Sequence, residues 1–489
     1  MTATEVAVLI SPELILLLGI ATVLVLDLVL GAGHRAVLPY VALAAVVLAA
    51  LAAALVWNRD EVLFSGMLAV DSFAVYFKLI ALGATALVIL GAKTTIEKRA
   101  DRQGEFYLLL LFACLASMLA TAAADLLSLY LAFEFLSLSS YVLVSYLRGS
   151  GVANEAGVKY FLYGAVTSAV MLYGVSLLYG ATGTTNLSGI AAALAGPAAS
   201  LRWLAIPTTV LLLAGFGFKT AIAPFHQWVP DVYEGAPTPV TAFLSVASKA
   251  TGMAVLMRVM VIALGDFQPT WARILGAFAI VSMLLGNLVA LQQSNIKRML
   301  AYSSIAHAGY LTIGFVTYAL VPRAFNGLNG VLFYLATYLF TNIGVFLAVI
   351  AVEEATGSTT ISDYAGLWKR SPVVAVLMAY LLLSLTGMPV TGGMFAKLTV
   401  FGSAMQAGPF GYLLAGVGVI TSVVAAFYYL NVVRYMFFVP PADTQRQTFS
   451  RGVSVALAIC AAATLVIGFF PQPFVDFASR SVLVLGAVL

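Results

Sequence analysis

The sequence contains fourteen apolar stretches, each long enough to cross a lipid bilayer as an α-helix. Each crossing needs about 20 apolar residues, so these stretches occupy most of the 489 residues and leave only short loops. With 62% hydrophobic and 9% charged residues, the composition excludes a water-soluble globular protein. The sequence therefore predicts an all-α polytopic membrane protein with about 14 transmembrane helices. The stretches lie at 6–30, 36–57, 67–91, 106–124, 125–147, 158–180, 201–230, 235–264, 272–292, 299–320, 325–351, 372–406, 410–438 and 452–475.

The basic residues between these stretches or near their ends are distributed unequally between alternate loops. One set of loops carries fourteen, namely Arg35, Lys93, Lys98, Arg99, Arg102, Arg148, Lys159, Lys297, Arg298, Lys369, Arg370, Arg434, Arg446 and Arg451. The other set carries five, namely Arg59, Arg202, Arg273, Arg323 and Arg480. Because cytoplasmic loops are enriched in Lys and Arg, this bias predicts that the first set is cytoplasmic and that both termini are outside the cytoplasm.

Two of the apolar stretches contain prolines and glycines at membrane depth, in Gly215–Pro230 and in Thr386–Lys397. Proline removes a backbone donor, so such breaks are tolerated only beside a polar or hydrated interior. Broken helices at corresponding places in two halves of a transporter indicate inverted repeats and the transport route. The breaks fall in the seventh and twelfth stretches. We therefore expect a single membrane domain with two five-helix repeats, preceded by three N-terminal helices and followed by a C-terminal helix. The corresponding ranges are 106–264 and 272–438 for the repeats, 1–105 for the first three helices and 452–489 for the last.

Five basic residues lie well inside the predicted spans, away from their ends: Lys78, Lys219, Lys249, Arg258 and Lys397. A charged Lys near the bilayer midplane costs roughly 2.5–3.5 kcal/mol, so such residues are functional candidates by default. Lys219 and Lys249 sit near the centres of their stretches, and Lys397 adjoins the second break. For Arg258, nearer a helix end, we expect the side chain to snorkel to the interface. Lys78 either takes part in transport or pairs with Asp71 on its own helix.

Glu134 is the acidic counterpart, in the middle of the fifth stretch with no basic residue within one helical turn. Its partner must come from another helix. The alternatives are one ion pair that fastens two helices or a row of protonatable sites, and three membrane lysines favour the row. Motion of Glu134 toward or away from Lys219 could then switch whether Lys219 holds its proton. His226, beside the first break, and His307, among hydroxyl residues, either join such a relay or are packing residues.

The sequence also excludes several other kinds of site. It has no G-x-G-x-x-G after a strand, no P-loop, no Cys or His cluster and no haem ligand pair. Cys114 and Cys460 lie far apart in apolar runs, and the 24 basic and 20 acidic residues are too scattered for a nucleic-acid-binding face. We therefore expect no cofactor-binding and no metal site in this chain, and no nucleic-acid partner.

The motifs as a whole resemble one known family. Phe216–Pro239, Asn295–Tyr310 and the segment from Gly387 to Lys397, together with Glu134 and Lys249, closely resemble the signature of the antiporter-like subunits of respiratory complex I. The related multisubunit cation/proton antiporters share these motifs. The resemblance covers nearly the whole chain.

The resemblance implies a fourteen-helix core, two inverted five-helix repeats with broken helices 7 and 12, and a bacterial plasma (inner) membrane location. It implies proton translocation coupled to electron transfer from NADH to quinone, with NADH, FMN, iron-sulfur clusters and quinone held by other membrane and peripheral subunits. Glu134 and Lys219 would be the interacting pair, Lys249 the central relay and Lys397 the last one. His226 and His307 would belong to the hydrated axis between them. The alternatives are a subunit of a multisubunit Na⁺ or K⁺/H⁺ antiporter, without electron transfer, and a passive scaffold.

Overall fold

The computed structural model describes residues 1–100, 102–196, 199–321, 327–441 and 449–487, and these are almost entirely helical. The α-helices are α1 (Ala3–Leu9), α2 (Ser11–Val29), α3 (Leu38–Leu55), α4 (Ser72–Arg99), α5 (Gln103–Ala122), α6 (Leu126–Val144), α7 (Gly151–Thr182), α8 (Leu187–Ala195), α9 (Ala205–Thr220), α10 (Trp228–Gly235), α11 (Thr238–Phe243), α12 (Lys249–Ile262), α13 (Gln268–Ala290), α14 (Ile296–Leu320), α15 (Leu328–Thr356), α16 (Leu367–Arg370), α17 (Pro372–Thr386), α18 (Gly392–Ala404), α19 (Gly408–Phe438), α20 (Arg451–Phe469) and α21 (Gln472–Ala487).

Short elements connect these helices. Turns of 3₁₀ helix occupy Ala32–Val37, Ala199–Leu204, Gly265–Phe267 and Ile361–Tyr364. A π-helical turn, Leu244–Ser248, joins α11 directly to α12. Two strands, β1 (Glu61–Leu63) and β2 (Leu68–Val70), form an antiparallel hairpin in which Glu61 pairs with Val70.

Twelve segments within the described ranges are long and apolar enough to cross a membrane. In chain order they match twelve of the fourteen predicted stretches, which confirms the all-α membrane class. The other two stretches, 201–230 and 372–406, are each divided into two shorter helices. The count of fourteen crossings and the two inverted repeats stay predictions.

Both helix breaks expected from the prolines and glycines occur. Helix α9 ends where Ala221 adopts a left-handed conformation with φ 65°, and α10 begins only at Trp228. Helix α17 ends at Gly387, whose φ of 93° suits glycine, and the Thr391 side chain caps the start of α18. Buried residues adjoin both breaks, with Lys219 before the first and Thr391 at the end of the second.

Some boundaries differ from the sequence prediction. The stretch predicted at 67–91 begins at Ser72 because the preceding residues form the hairpin, and its helix runs on to Arg99. The close pair of stretches around residue 125 is two helices, since Asp125 accepts hydrogen bonds from the amides of Leu127 and Ser128 and caps α6. The stretch predicted at 452–475 ends at Phe469, and α21 follows it.

Helix α12 lies at the centre of the bundle, with every residue from Lys249 to Ile262 buried. This burial corrects the expectation that Arg258 snorkels to the interface. The Arg258 guanidinium is 3% exposed and donates two hydrogen bonds, of 2.8 and 2.9 Å, to the Asp71 carboxylate at the start of α4.

Lys78 consequently does not pair with Asp71; its Nζ lies 2.6 Å from Oε1 of Glu13 on α2. Both ion pairs join α4 to other helices.

Two of the basic residues assigned to loops are also enclosed by protein. The Nζ of Lys297, near the start of α14, is buried and donates to the carbonyl of Ala236 over 2.6 Å. Arg370 is buried and donates to the carbonyls of Asp363 and Ala365. Arg323 and Arg446 lie outside the described residues, and the orientation of the chain across the membrane stays a prediction.

The buried Arg258–Asp71 pair predicts a large loss of stability when only one partner is removed. We expect Arg258→Met to lower the free energy of unfolding by about 3–5 kcal/mol, because it leaves the Asp71 carboxylate buried and unpaired. The double variant Asp71→Asn with Arg258→Met should recover most of the loss, since asparagine still caps α4. Thermal unfolding of the purified protein measures the effect. The control is Glu97→Gln, in a pair with Lys93 at 3.8 Å whose members are about a third exposed; a loss as large as that of Arg258→Met would contradict the prediction.

Candidate functional site

Lys219 lies in the last turn of α9, directly before the first helix break, and is 3% exposed. Its ammonium nitrogen is 6.0 Å from the ring centre of Phe133, 5.8 Å from that of Tyr160 and 5.7 Å from that of Phe218. Gly252 of α12 permits this packing, because a Cβ there would lie 3.0 Å from Cβ of Lys219. Among the described residues, the Lys219 nitrogen has no hydrogen-bond partner. The lysine is therefore held by aromatic rings and not by a polar contact.

Glu134 is half-buried in the middle of α6. The Ser168 hydroxyl on α7 donates a hydrogen bond to Oε1 of Glu134, and the same hydroxyl lies 3.3 Å from the Tyr130 hydroxyl. In the part of the chain that the structure describes, no ion pair within 4.0 Å joins Glu134 to Lys219. Glu134 nevertheless interacts electrostatically with the Lys219 ammonium at longer range. The structure thus places the two residues near each other but out of contact.

Lys249 is the first residue of α12 and follows the π-helical turn. Its ammonium donates to both the backbone carbonyl and the side-chain oxygen of Ser304 on α14. The hydroxyls of Tyr233 and Tyr338 each lie 3.4 Å from the same Ser304 oxygen. Lys249 is therefore bound to Ser304, whose hydroxyl also neighbours hydroxyls from two further helices.

His307 follows Ser304 by one turn of α14 and is also buried. Its Nδ1 lies 2.8 Å from the Tyr334 hydroxyl, and its Nε2 lies 3.4 Å from the Tyr429 hydroxyl. Both ring nitrogens thus have hydroxyl neighbours that can donate or accept a proton. The imidazole has an electrostatic interaction with Lys249 on one side and with Lys397 on the other.

Lys397 lies on α18, just after the second break, and its ammonium donates to the carbonyl of Thr386 over 2.9 Å. The ammonium nitrogen is 5.0 Å from the ring centre of Tyr310. A cavity of about 10 Å³ separates Lys397 from His307, which is about the smallest space that holds one water molecule. Its polar lining residues are His307, Tyr334, Tyr338, Thr341, Ser384 and Lys397.

His226 lies in the loop between α9 and α10 and is half-buried. Its Nδ1 has no hydrogen-bond partner among the described residues. The neighbouring Phe225 packs on Phe278 of α13, so the loop is held against a helix other than those that carry the lysines. Its predicted part in the relay stays a prediction.

The structure adds polar residues that sequence reasoning did not single out. Ser168 and Ser304 each accompany a charged residue of the site, and the Ser245 oxygen accepts a 2.7 Å hydrogen bond from the Asn342 amide one turn before Lys249. Nearer one end of the bundle, Glu353 accepts from Thr238 and interacts electrostatically with the buried Lys297. These residues could have been noticed in the sequence as polar positions inside apolar helices. The sequence alone does not say which of the polar positions face one another.

The site contains groups that can transfer protons. Among the described residues, no group of three or more His, Cys, Asp or Glu side chains could hold a metal ion. Ammonium, imidazole, carboxyl and hydroxyl groups can each pass a proton to a neighbour within hydrogen-bonding distance or through one water molecule.

The Lys249–Ser304 contact predicts a specific effect of removing one hydroxyl. We expect Ser304→Ala to slow proton transfer through the site about tenfold, because Lys249 loses the side-chain oxygen that links it to Tyr233 and Tyr338 while keeping the backbone carbonyl. Proton uptake by vesicles containing the purified complex measures the rate. The matched control is Thr312→Val on the same helix, whose hydroxyl donates to the carbonyl of Ala308. Equal rates in the two variants would contradict the role of Ser304.

Comparison with known proteins places this arrangement in a family. Residues 123–425 match the family described as NADH:quinone oxidoreductase/Mrp antiporter, transmembrane. NADH-quinone oxidoreductase subunit N of Trichlorobacter lovleyi is 40% identical over 478 residues, covering 97% of this chain and 96% of that protein. The corresponding subunit N 2 of Roseiflexus castenholzii is 40% identical with the same coverage.

Solved structures agree with these relatives. A chain of respiratory complex I from Thermus thermophilus with bound aureothin is 31% identical and superposes with a TM-score of 0.80, covering 95% of this chain and 98% of that one. A chain of the Mrp complex from Dietzia has the same fold, with a TM-score of 0.86 over both full chains, at 21% identity. The chain therefore belongs to the family of the antiporter-like membrane subunits of NADH-quinone oxidoreductase.

Proposed function

We propose that this chain is the proton-translocating membrane subunit of a bacterial NADH:quinone oxidoreductase. The observation that carries the proposal is the row of buried lysines on three central helices, with His307 between the last two and hydroxyl groups beside them. The cost of enclosing three ammonium groups among apolar helices exceeds what fastening two helices requires. The names of the relatives, over nearly their full length, support the same assignment.

Proton transfer along the row begins with the Glu134 and Lys219 pair. When the carboxylate approaches Lys219, their attraction favours the protonated lysine; when it withdraws, Lys219 releases its proton toward Lys249. The carboxylate position thereby controls the direction of transfer.

From Lys249, the proposed path continues along α14 to His307. The Lys249 ammonium donates to Ser304, whose hydroxyl neighbours Tyr338, and His307 follows one turn later. The small cavity between His307 and Lys397 gives the last step room for a bridging water molecule. Lys397 would then be the last relay before the exit, and His226 a further member of the hydrated axis.

The electron-transfer chemistry belongs to partner subunits. FMN and iron-sulfur clusters need cysteine ligands or nucleotide-binding loops, which the described residues do not supply. We therefore assign NADH oxidation and quinone reduction to the other membrane and peripheral subunits of the complex, and only the proton path to this chain. The chain would lie in the plasma membrane with both termini on the extracytoplasmic side, in contact with lipid and with neighbouring subunits.

The second candidate is a subunit of a multisubunit Na⁺ or K⁺/H⁺ antiporter. The Mrp chain from Dietzia favours it only at the level of the fold, because that chain is 21% identical. Electron transfer distinguishes the two functions. Cation-dependent proton exchange in vesicles without NADH would support the antiporter, whereas proton uptake that requires NADH and quinone supports the proposed function.

The proposed relay predicts the loss of pumping when any buried lysine is neutralised. We expect Lys219→Met, Lys249→Met, Lys397→Met and Glu134→Gln each to reduce NADH-driven proton uptake more than about tenfold, because a relay needs every proton-accepting group along its path. Uptake is measured with a pH-sensitive dye in vesicles containing the purified complex, at matched amounts of assembled complex. The control is Lys369→Met, a lysine with an exposed side chain on α16. Normal proton uptake in the three lysine variants would contradict the relay and would indicate that this chain is a passive scaffold.

A further inference from the structure

The Glu134 carboxylate is held by a hydroxyl from a neighbouring helix and not by the lysine assigned to it. Ser168 donates to Oε1 of Glu134, and Tyr130, one turn before Glu134 on α6, is within 3.3 Å of the same serine oxygen. The Lys219 ammonium, which does not contact Glu134, is buried among three aromatic rings and has no hydrogen-bond partner in the described residues. The structure thus contains the separated state of the pair, with a polar resting place for the carboxylate alone.

The packing of α7 against α6 explains why Ser168 reaches Glu134. Gly164 and Ser168 are four residues apart and lie on the same face of α7. At Gly164 a Cβ would lie 1.8 Å from the Tyr141 hydroxyl of α6, so the glycine leaves room for the end of the tyrosine side chain. At Gly157 the approach is between backbones, since a Cβ there would lie 2.6 Å from the Ser145 Cβ. Small residues at these contacts bring the backbones together, and Ser168 is thereby presented to the middle of α6.

We propose that Ser168 is a positioning residue that gives Glu134 a second resting site, so that the carboxylate alternates between the Ser168 hydroxyl and the Lys219 ammonium. This inference rests on the proposed function, because it gives the movement of Glu134 its second end point. Ser168 itself does not carry the transported proton. It acts by holding the carboxylate away from Lys219 until the lysine has released its proton.

The size of the effect follows from the strength of one charge-assisted hydrogen bond. A hydrogen bond to a charged group shifts an equilibrium by about 10- to 100-fold. Loss of the Ser168 hydroxyl should therefore shift Glu134 toward contact with Lys219 by that factor, and Lys219 would retain its proton. A switch that rests almost entirely in one of its two positions cannot complete the cycle at the normal rate.

The experiment uses the whole assembled complex, in vesicles and in redox-induced infrared difference spectra. The carboxyl band of Glu134 is identified by its loss in Glu134→Gln. We expect Ser168→Ala to lower NADH-driven proton uptake at least about fivefold and to shift this band, because the carboxyl group changes its hydrogen-bond partner. Ser168→Thr retains a hydroxyl at the same position and should restore both the uptake and the band. The matched control is Ser176→Ala on the same helix, whose hydroxyl donates to the carbonyl of Tyr173.

The possible results separate this inference from the proposed function. If Glu134→Gln abolishes uptake while Ser168→Ala changes neither uptake nor the carboxyl band, the resting site is wrong and the relay stands. If Ser168→Ala lowers uptake without moving the band, or if Ser168→Thr restores neither, the serine has a packing role and the inference is overturned. If Glu134→Gln leaves uptake normal, the proposed function itself fails.

Discussion

The cost of placing a charge in a medium of low dielectric constant governs this structure. An ammonium group surrounded by hydrocarbon must be paired, solvated by fixed dipoles, or neutralised by loss of its proton. Two of these solutions are visible in the chain: Arg258 and Lys78 are paired with carboxylates, and Lys249 and Lys397 are bound by backbone and hydroxyl oxygens. Lys219 differs from them, because its ammonium lies among aromatic rings. The two groups of residues differ in what they can do. An arginine bound bidentately to aspartate is a permanent charge, whereas a lysine bound by neutral oxygens can give up its proton.

The same low dielectric constant also limits where a membrane helix can be interrupted. Backbone groups freed by a break in a membrane helix must find partners inside the protein. At the second break the carbonyl of Thr386 finds one in the ammonium of Lys397, so a single contact serves both an unpaired backbone group and a buried charge.

Much of the fold is readable from the sequence, because crossing length and proline and glycine positions are local properties. The breaks after Thr220 and Thr386 and the turn capped by Asp125 all follow from nearby residues. The pairings were harder to predict because they are not local. Arg258 was expected at the interface, but its partner Asp71 lies 187 residues away on another helix. Helices that are apolar on every side give no indication of which face is central, so Ser168, Ser304 and the buried position of Lys297 could be found only in three dimensions.

The π-helical turn before Lys249 determines the face of the helix on which that lysine lies. A π turn contains one residue more than an α-helix uses for the same advance, and each residue rotates an α-helix by about 100°. Leu244–Ser248 therefore offsets the whole of α12 in rotation relative to α11. The orientation of the Lys249 side chain toward Ser304 thus depends on the rotation of the helix as well as on the identity of the residue. A shortening by one residue anywhere in this turn would leave the amino-acid composition of the core almost unchanged, yet would swing Lys249 away from its oxygen ligands and disconnect the two halves of the row.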